Sequence, residues 1–234
     1  MLGRVFLLLL LVLPLTALAL VRTGVVTIPP AYDPFAPLDL SAAPNFLTSF
    51  KLARLEQAPQ QCLAALAASD LRHRRLPDRS SDTGCAITDA VRVEGSTTVI
   101  AGGGFAATCP LAAAWVLFER EALQPAARRH LGQRVATVRH FGSYACRNLY
   151  GRADGRRSEH ATANAVDLAG FVLADGREVT VARDWQRTGT PEAAFLRAVH
   201  GEACRFFDVV LGPAYNTAHR DHLHLDMGRF SICR

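Results

Sequence analysis

Two short stretches of the chain concentrate residues able to do chemistry. The first is Ser158-Glu159-His160-Ala161-Thr162-Ala163-Asn164-Ala165-Val166-Asp167, and the second is His219-Arg220-Asp221-His222-Leu223-His224-Leu225-Asp226. Together they hold four of the eight histidines. Neutral imidazoles and a carboxylate are a donor set for zinc, which in catalytic sites takes three protein ligands and leaves one position open. His160, Asp167 and His224 form such a set. A lone histidine or a single H-x-H is a weak sign; the combination, with small residues around the first cluster, is a stronger one.

The strand period assigns the remaining roles. Ala165 to Leu173 is apolar and reads as a strand, which puts Asp167 on one face and Val166 and Leu168 on the other. His222 and His224 are two apart on a second strand and share a face, while Asp221 and Leu223 point away. That parity favours His222 over Asp221 as the residue that handles a proton at the site. Asp221 then orients an imidazole from behind, unless a bulge reverses the alternation. A serine nucleophile fits less well, because neither Ser143 nor Ser158 stands in G-x-S-x-G. Gly102-Gly103-Gly104 is a turn and not a phosphate loop, since no Gly-Lys-Ser/Thr follows.

The elements that must position these residues read as follows. Leu52, Leu55, Cys62, Leu63, Leu66 and Leu71 share one helical face. Arg72 to Gly84 is polar and charged and reads as a loop. Val91 to Ile100 alternates and suggests strands broken at Glu94-Gly95. Cys109 to Leu131 is a long helical region with Pro110 in its first turn, interrupted or restarted at Pro125. Val135 to Tyr144 is strand-like, and Asn148 to Arg157 is an exposed loop. Asp175-Gly176 predicts a hairpin, with Glu178 to Ala182 as the returning strand. Pro191 to Phe207 is a helix, and Leu223 to Met227 is a last strand. Strands and helices do not alternate regularly, so the expected fold is α+β: a mainly antiparallel sheet with flanking helices and the zinc site at the sheet.

The N-terminus speaks for export. Arg4, an uncharged apolar run from Val5 to Val21 and the small-residue triplet Ala17-Leu18-Ala19 make residues 1–22 a secretory signal peptide or a membrane-anchoring hydrophobic helix. Residues 23–44 are Pro-rich and read as an extended linker, leaving 45–234 as the folded domain. Six cysteines are widely spread with no C-x-x-C pair, which fits three disulfides of unassigned pairing in an oxidising compartment. The net charge of +5 comes from 26 basic and 21 acidic residues. A modest excess of this kind suits an anionic wall or membrane surface. It comes without the basic runs or interleaved aromatics of a nucleic-acid binder, so no nucleic-acid partner is expected.

Ser158-x-His160-x6-Asp167 with a later His222-x-His224 resembles the motif of the zinc peptidases related to D-Ala-D-Ala carboxypeptidases and murein endopeptidases. More closely, the chain resembles the bacterial extensin-like C-terminal domain family, through Gly142-Ser143-Tyr144-Ala145-Cys146-Arg147, Ser158-Glu159-His160-Ala161, Asn164-Ala165-Val166-Asp167, Leu211-Gly212-Pro213 and Asp221-His222-Leu223-His224-Leu225-Asp226. The resemblance implies zinc on His160, Asp167 and His224, and His222 or Asp221 moving the proton. It further implies a stem or cross-link peptide of peptidoglycan as substrate, in the periplasm or otherwise outside the cytoplasm. Within that reading Arg147 binds a peptide carboxylate or forms a surface salt bridge, Tyr144 lines the same cleft or packs in the core, and Ser158 hydrogen-bonds within the loop around the metal. Some proteins of this fold keep the metal and only bind, so a zinc-containing, non-catalytic wall-binding module is the alternative. The chain departs from the peptidase pattern at Ala163, where the motif has glycine.

Overall fold

The structure is a computed structural model, and it describes residues 10, 12–13, 15–16 and 19–234. The expected apolar helix of residues 1–22 falls mainly outside them. Among the described residues, no helix is long and apolar enough to cross a membrane. The chain divides into Met1–Pro37, which includes a 3-10 turn at Pro30–Tyr32, and Leu38–Arg234. Ordered packing of the second unit starts inside the Pro-rich stretch, where Leu38 and Leu40 are buried in its core.

The second unit is α+β. Its helices are α1 (Thr48–Arg54), α2 (Pro59–Ala67), α3 (Cys109–Phe118), α4 (Gln124–Leu131), α5 (Val181–Asp184) and α6 (Pro191–Ala203). Its strands are β1 (Arg72–Arg75), β2 (Ala90–Gly95), β3 (Val99–Ile100), β4 (Phe105–Thr108), β5 (Val135–Gly142), β6 (Ala165–Leu173), β7 (Glu178–Thr180), β8 (Val209–Leu211), β9 (Leu223–Asp226) and β10 (Ile232–Cys233). The order β1-β2-β4 makes a small antiparallel sheet, and β10-β8-β9-β6-β5-β3 makes a large one with β7 also paired to β6. The large sheet is mixed, because β10 with β8 and β3 with β5 run parallel.

Helix α3 lies at the centre of the core. Every residue of Cys109–Phe118 except Pro110 is buried, as expected for a helix that is apolar on all sides. Thr108 caps it by accepting from the Leu111 N–H at 3.4 Å. The helix then widens into a π-turn at Glu119–Leu123 before α4 begins. That widening accommodates Pro125, which has no N–H to give.

Several expectations need correction. The single helix expected from Leu52 to Leu71 is broken at Ala58, whose φ/ψ of −133°/62° is non-helical, and Pro59 opens a new one. Arg72–Arg75 is a strand, although all four residues are charged or polar; it is an exposed edge paired with β2, where burial gives no apolar signature. β4, β8 and β10 were not foreseen, being four, three and two residues long. The hairpin strand stops at Thr180, whose side chain accepts from the Arg183 N–H and starts α5. Strand β5 ends at Gly142 and helix α6 at Ala203, both short of their expected limits. The cysteines form three disulfides, Cys62–Cys109, Cys85–Cys146 and Cys204–Cys233.

Candidate metal centre

Backbone pairing places Asp167. It lies on β6 opposite His224 of β9 on one side and opposite Gly142 of β5 on the other. Residues directly opposite in a ladder share a face, so the carboxylate and the imidazole project together. Ala165 and Asp226 form the next pair on that face. The alternate residues Val166, Leu168, Leu223 and Leu225 are fully buried. A slip of one residue would therefore put the charged groups in the core and the leucines outside, which fixes the register.

His160 comes from a loop beside the sheet. Ser158 Oγ accepts from the His160 backbone N–H at 3.3 Å and caps the 3-10 turn Glu159–Thr162. The turn closes at Ala163, with φ +57° and ψ +30°, a left-handed conformation that costs a Cβ-bearing residue about 1 kcal/mol. Backbone bonds hold it there: the Thr108 N–H donates to the Ala163 carbonyl at 2.9 Å. Position 163 thus needs left-handed backbone, which this chain meets with a strained alanine.

Three donor atoms converge. His160 Nε2 is 3.2 Å from Asp167 Oδ1 and 3.1 Å from His224 Nδ1, and His224 Nδ1 is 2.9 Å from Asp167 Oδ1. Donors on a tetrahedral zinc lie about 3.3 Å from one another, so the triangle is close to the size such an ion needs. The far side of each ring sets its tautomer. The Ser143 carbonyl, 3.2 Å from His160 Nδ1, can only accept, so Nδ1 carries the proton and Nε2 presents its lone pair. Asp226 Oδ2, 2.8 Å from His224 Nε2, takes that N–H and turns Nδ1 inward. The Gly228 N–H donates to the other Asp226 oxygen at 2.8 Å, and a Cβ at Gly228 would stand 2.9 Å from that oxygen.

Without a metal the triangle holds a proton. Burial alone disfavours the His224 imidazolium, but hydrogen bonds to Asp167 and Asp226 outweigh it and raise its pKa to about 9. Burial likewise pushes Asp167 upward, and its interactions with His160 and His224 overcome it, holding the carboxyl well below the usual range.

His222 stands at the rim. Its Nε2 is 3.5 Å from Asp167 Oδ1, and its Nδ1 is 2.9 Å from Asp221 Oδ1. Asp221 takes the Nδ1–H, which leaves Nε2 as an acceptor facing the cluster. The ring meets Phe141 edge-on at 5.9 Å and His219 at 5.2 Å. His219 donates from Nδ1 to Asn216 Oδ1 at 2.7 Å. Burial, then the nearby charges of His224 and His222, lower its pKa to about 4, so it stays neutral.

A cleft of about 780 Å³ adjoins the rim, lined among others by Thr137, Arg139 and Phe141 of β5, Ala169 of β6, Glu178 of β7, and Asp221. Arg139 Nη1 and Glu178 Oε1 pair across it at 2.9 Å. Arg147, Tyr144 and Ser158, the residues expected to touch substrate, do not line this cleft. Arg147 is exposed and makes no side-chain ion pair among the described residues. Tyr144 donates its hydroxyl to the Cys85 carbonyl at 3.2 Å, under the Arg79 guanidinium at 4.5 Å. Ser158 is buried and its hydroxyl is engaged within the loop.

Sequence reasoning gave no role to Asp226, His219 or the Ser143 carbonyl. Asp226 was findable, since it lies two residues after His224 and shares its face. His219 sits in a 3-10 turn where no alternation can be read, and a backbone carbonyl leaves no mark in a sequence.

Residues 60–234 match the family described as Extensin-like protein C-terminus. The chain belongs to this family. The matched region contains both histidine segments and all six cysteines of the extensin-like domain. No curated protein and no solved structure matches the chain.

Proposed function

We propose that this extensin-like domain is a zinc-dependent hydrolase of peptide bonds, acting on stem or cross-link peptides of peptidoglycan outside the cytoplasm. The observation that carries the reading is the convergence of His160 Nε2, Asp167 Oδ1 and His224 Nδ1, with both imidazoles locked in the tautomer that points a lone pair inward. The resemblance of the two histidine segments to zinc peptidase motifs supports the choice of reaction. Three disulfides support an oxidising compartment.

Bound by these three residues, zinc would acidify water and polarise a peptide carbonyl. The chain's own residues do the rest. Asp167 and Asp226 bring negative charge to the imidazoles and hold them in place. His222 Nε2 takes the proton of the attacking water, while Asp221 keeps the Nδ1–H on the far side of the ring. His222 then delivers that proton to the departing amine nitrogen as the C–N bond breaks. The cleft beside Phe141 and Asp221 gives the peptide a place to lie along the sheet, and exposed Arg147 offers a carboxylate partner on the loop side.

The chain purified with its disulfides formed should carry one zinc, lost in His160→Ala and in His224→Ala. It should cleave muropeptides, and His222→Ala should abolish cleavage with zinc retained. A native chain free of zinc sinks the proposal. Zinc without cleavage of any muropeptide identifies a wall-binding module instead.

A further inference from the structure

The disulfides differ in what they hold. Cys204–Cys233 joins the end of α6 to β10. Cys85–Cys146 joins the arm between β1 and β2 to the segment that leaves β5 after Gly142. That segment is the bed of the candidate metal loop. The Ser143 carbonyl takes the His160 Nδ1–H at 3.2 Å, the Ala145 N–H donates to the His160 carbonyl at 3.0 Å, and the Ser158 N–H donates to the Arg147 carbonyl at 3.2 Å. These contacts set both the height and the tautomer of His160.

The arm grips the segment from the other side. Beyond the covalent bridge, the Cys85 carbonyl accepts from Tyr144 Oη at 3.2 Å, and the Arg79 guanidinium covers the Tyr144 ring at 4.5 Å. Arg157, one residue before Ser158, donates from Nε to the Thr83 carbonyl at 2.7 Å and from Nη1 to Asn148 Oδ1 at 3.0 Å. One arm thus holds the segment at 143–147 and the start of the loop at 157 together.

We propose that the Cys85–Cys146 bridge and Tyr144 are positioning residues for His160, so that metal affinity depends on this arm beyond its share in global stability. The proposal rests on reading the site as a zinc centre. Partners that orient a ligating histidine typically change metal affinity by about 10–100-fold, and that is the expected loss in Cys85→Ala/Cys146→Ala.

The test uses the full chain with zinc and a competing chelator, at a temperature well below each variant's Tm. Cys204→Ala/Cys233→Ala is the control, losing a bridge and stability but keeping the bed of His160. The expected result is a lower Tm in both variants, with zinc affinity at least about tenfold weaker only in the first. Unchanged affinity, or an equal loss in both, overturns the proposal. If the first variant does not fold, Tyr144→Phe decides: removal of one hydrogen bond predicts a loss of about fivefold, and no loss refutes. If the native chain binds no zinc, the zinc reading has failed, and the metal-free protein still tests the arm. Its His160 Nδ1 proton should give a slowly exchanging NMR signal in the native chain and the control and lose it in Cys85→Ala/Cys146→Ala; a signal that persists there overturns the proposal.

Discussion

A metal entering the triangle has to displace the proton that His224 holds. The His224 pKa of about 9 in the metal-free fold lies two units above neutrality, so at pH 7 proton competition weakens zinc binding by about two decades. Apparent affinity should rise about tenfold per pH unit from 7 to 9 and flatten above. Asp226→Asn removes the charge 2.8 Å from Nε2 and should lower the midpoint by about one unit. The variant also loses an orienting partner, which costs about 10–100-fold at high pH. Its deficit should therefore shrink at pH 7, where the native site is more heavily protonated. Zinc titrations against a chelator at fixed ionic strength, in steps from pH 6 to 10, measure both curves. A flat native profile between pH 7 and 9, or the same midpoint in Asp226→Asn, refutes the charge arrangement. The sign for folding follows from the same group. Its raised pKa stabilises the metal-free fold by about 3 kcal/mol below pH 6.5, and this contribution fades as pH rises through about 9.

Ala163→Gly relieves left-handed strain of about 1 kcal/mol and loses a buried methyl worth about 0.8 kcal/mol, so its unfolding midpoint should barely move. Ala163→Val adds volume at a site with 0% exposure and should lose more than about 2 kcal/mol; a tolerated valine contradicts the geometry. Glu119 accepts from Ser96, Thr97, the Thr98 N–H and Trp115 at 2.6 to 3.2 Å. Glu119→Ala strands these donors and should cost at least about 3 kcal/mol in denaturant unfolding with zinc content unchanged; a small loss would show that solvent replaces the carboxylate. Phe141 is 62% exposed, so Phe141→Ala should leave Tm nearly unchanged. If the cleft carries the peptide, KM for a muropeptide should rise about tenfold with kcat changed far less, and an unchanged KM removes the cleft from the substrate path.

What the sequence determined by itself was set by local pattern. An apolar run defined β6 from Ala165 to Leu173, two-residue spacing put His222 and His224 on one face, and Asp175-Gly176 marked the turn after β6. Pro110 and Pro125 marked where helical segments begin again, and the spread of six cysteines marked the crosslinks without their pairing. Edge and very short strands escaped, because Arg72–Arg75 is solvent-exposed and β10 has only two residues, too few to show a period. The tertiary structure alone decided which residues meet. Asp167 stands opposite His224 because β6 and β9 pair in one register, and His160 joins them from a loop hydrogen-bonded to the Ser143 and Ala145 backbone after β5. Side chains distant in sequence share a site through strand pairing and loop hydrogen bonds, and neither is written in the spacing of the residues they join.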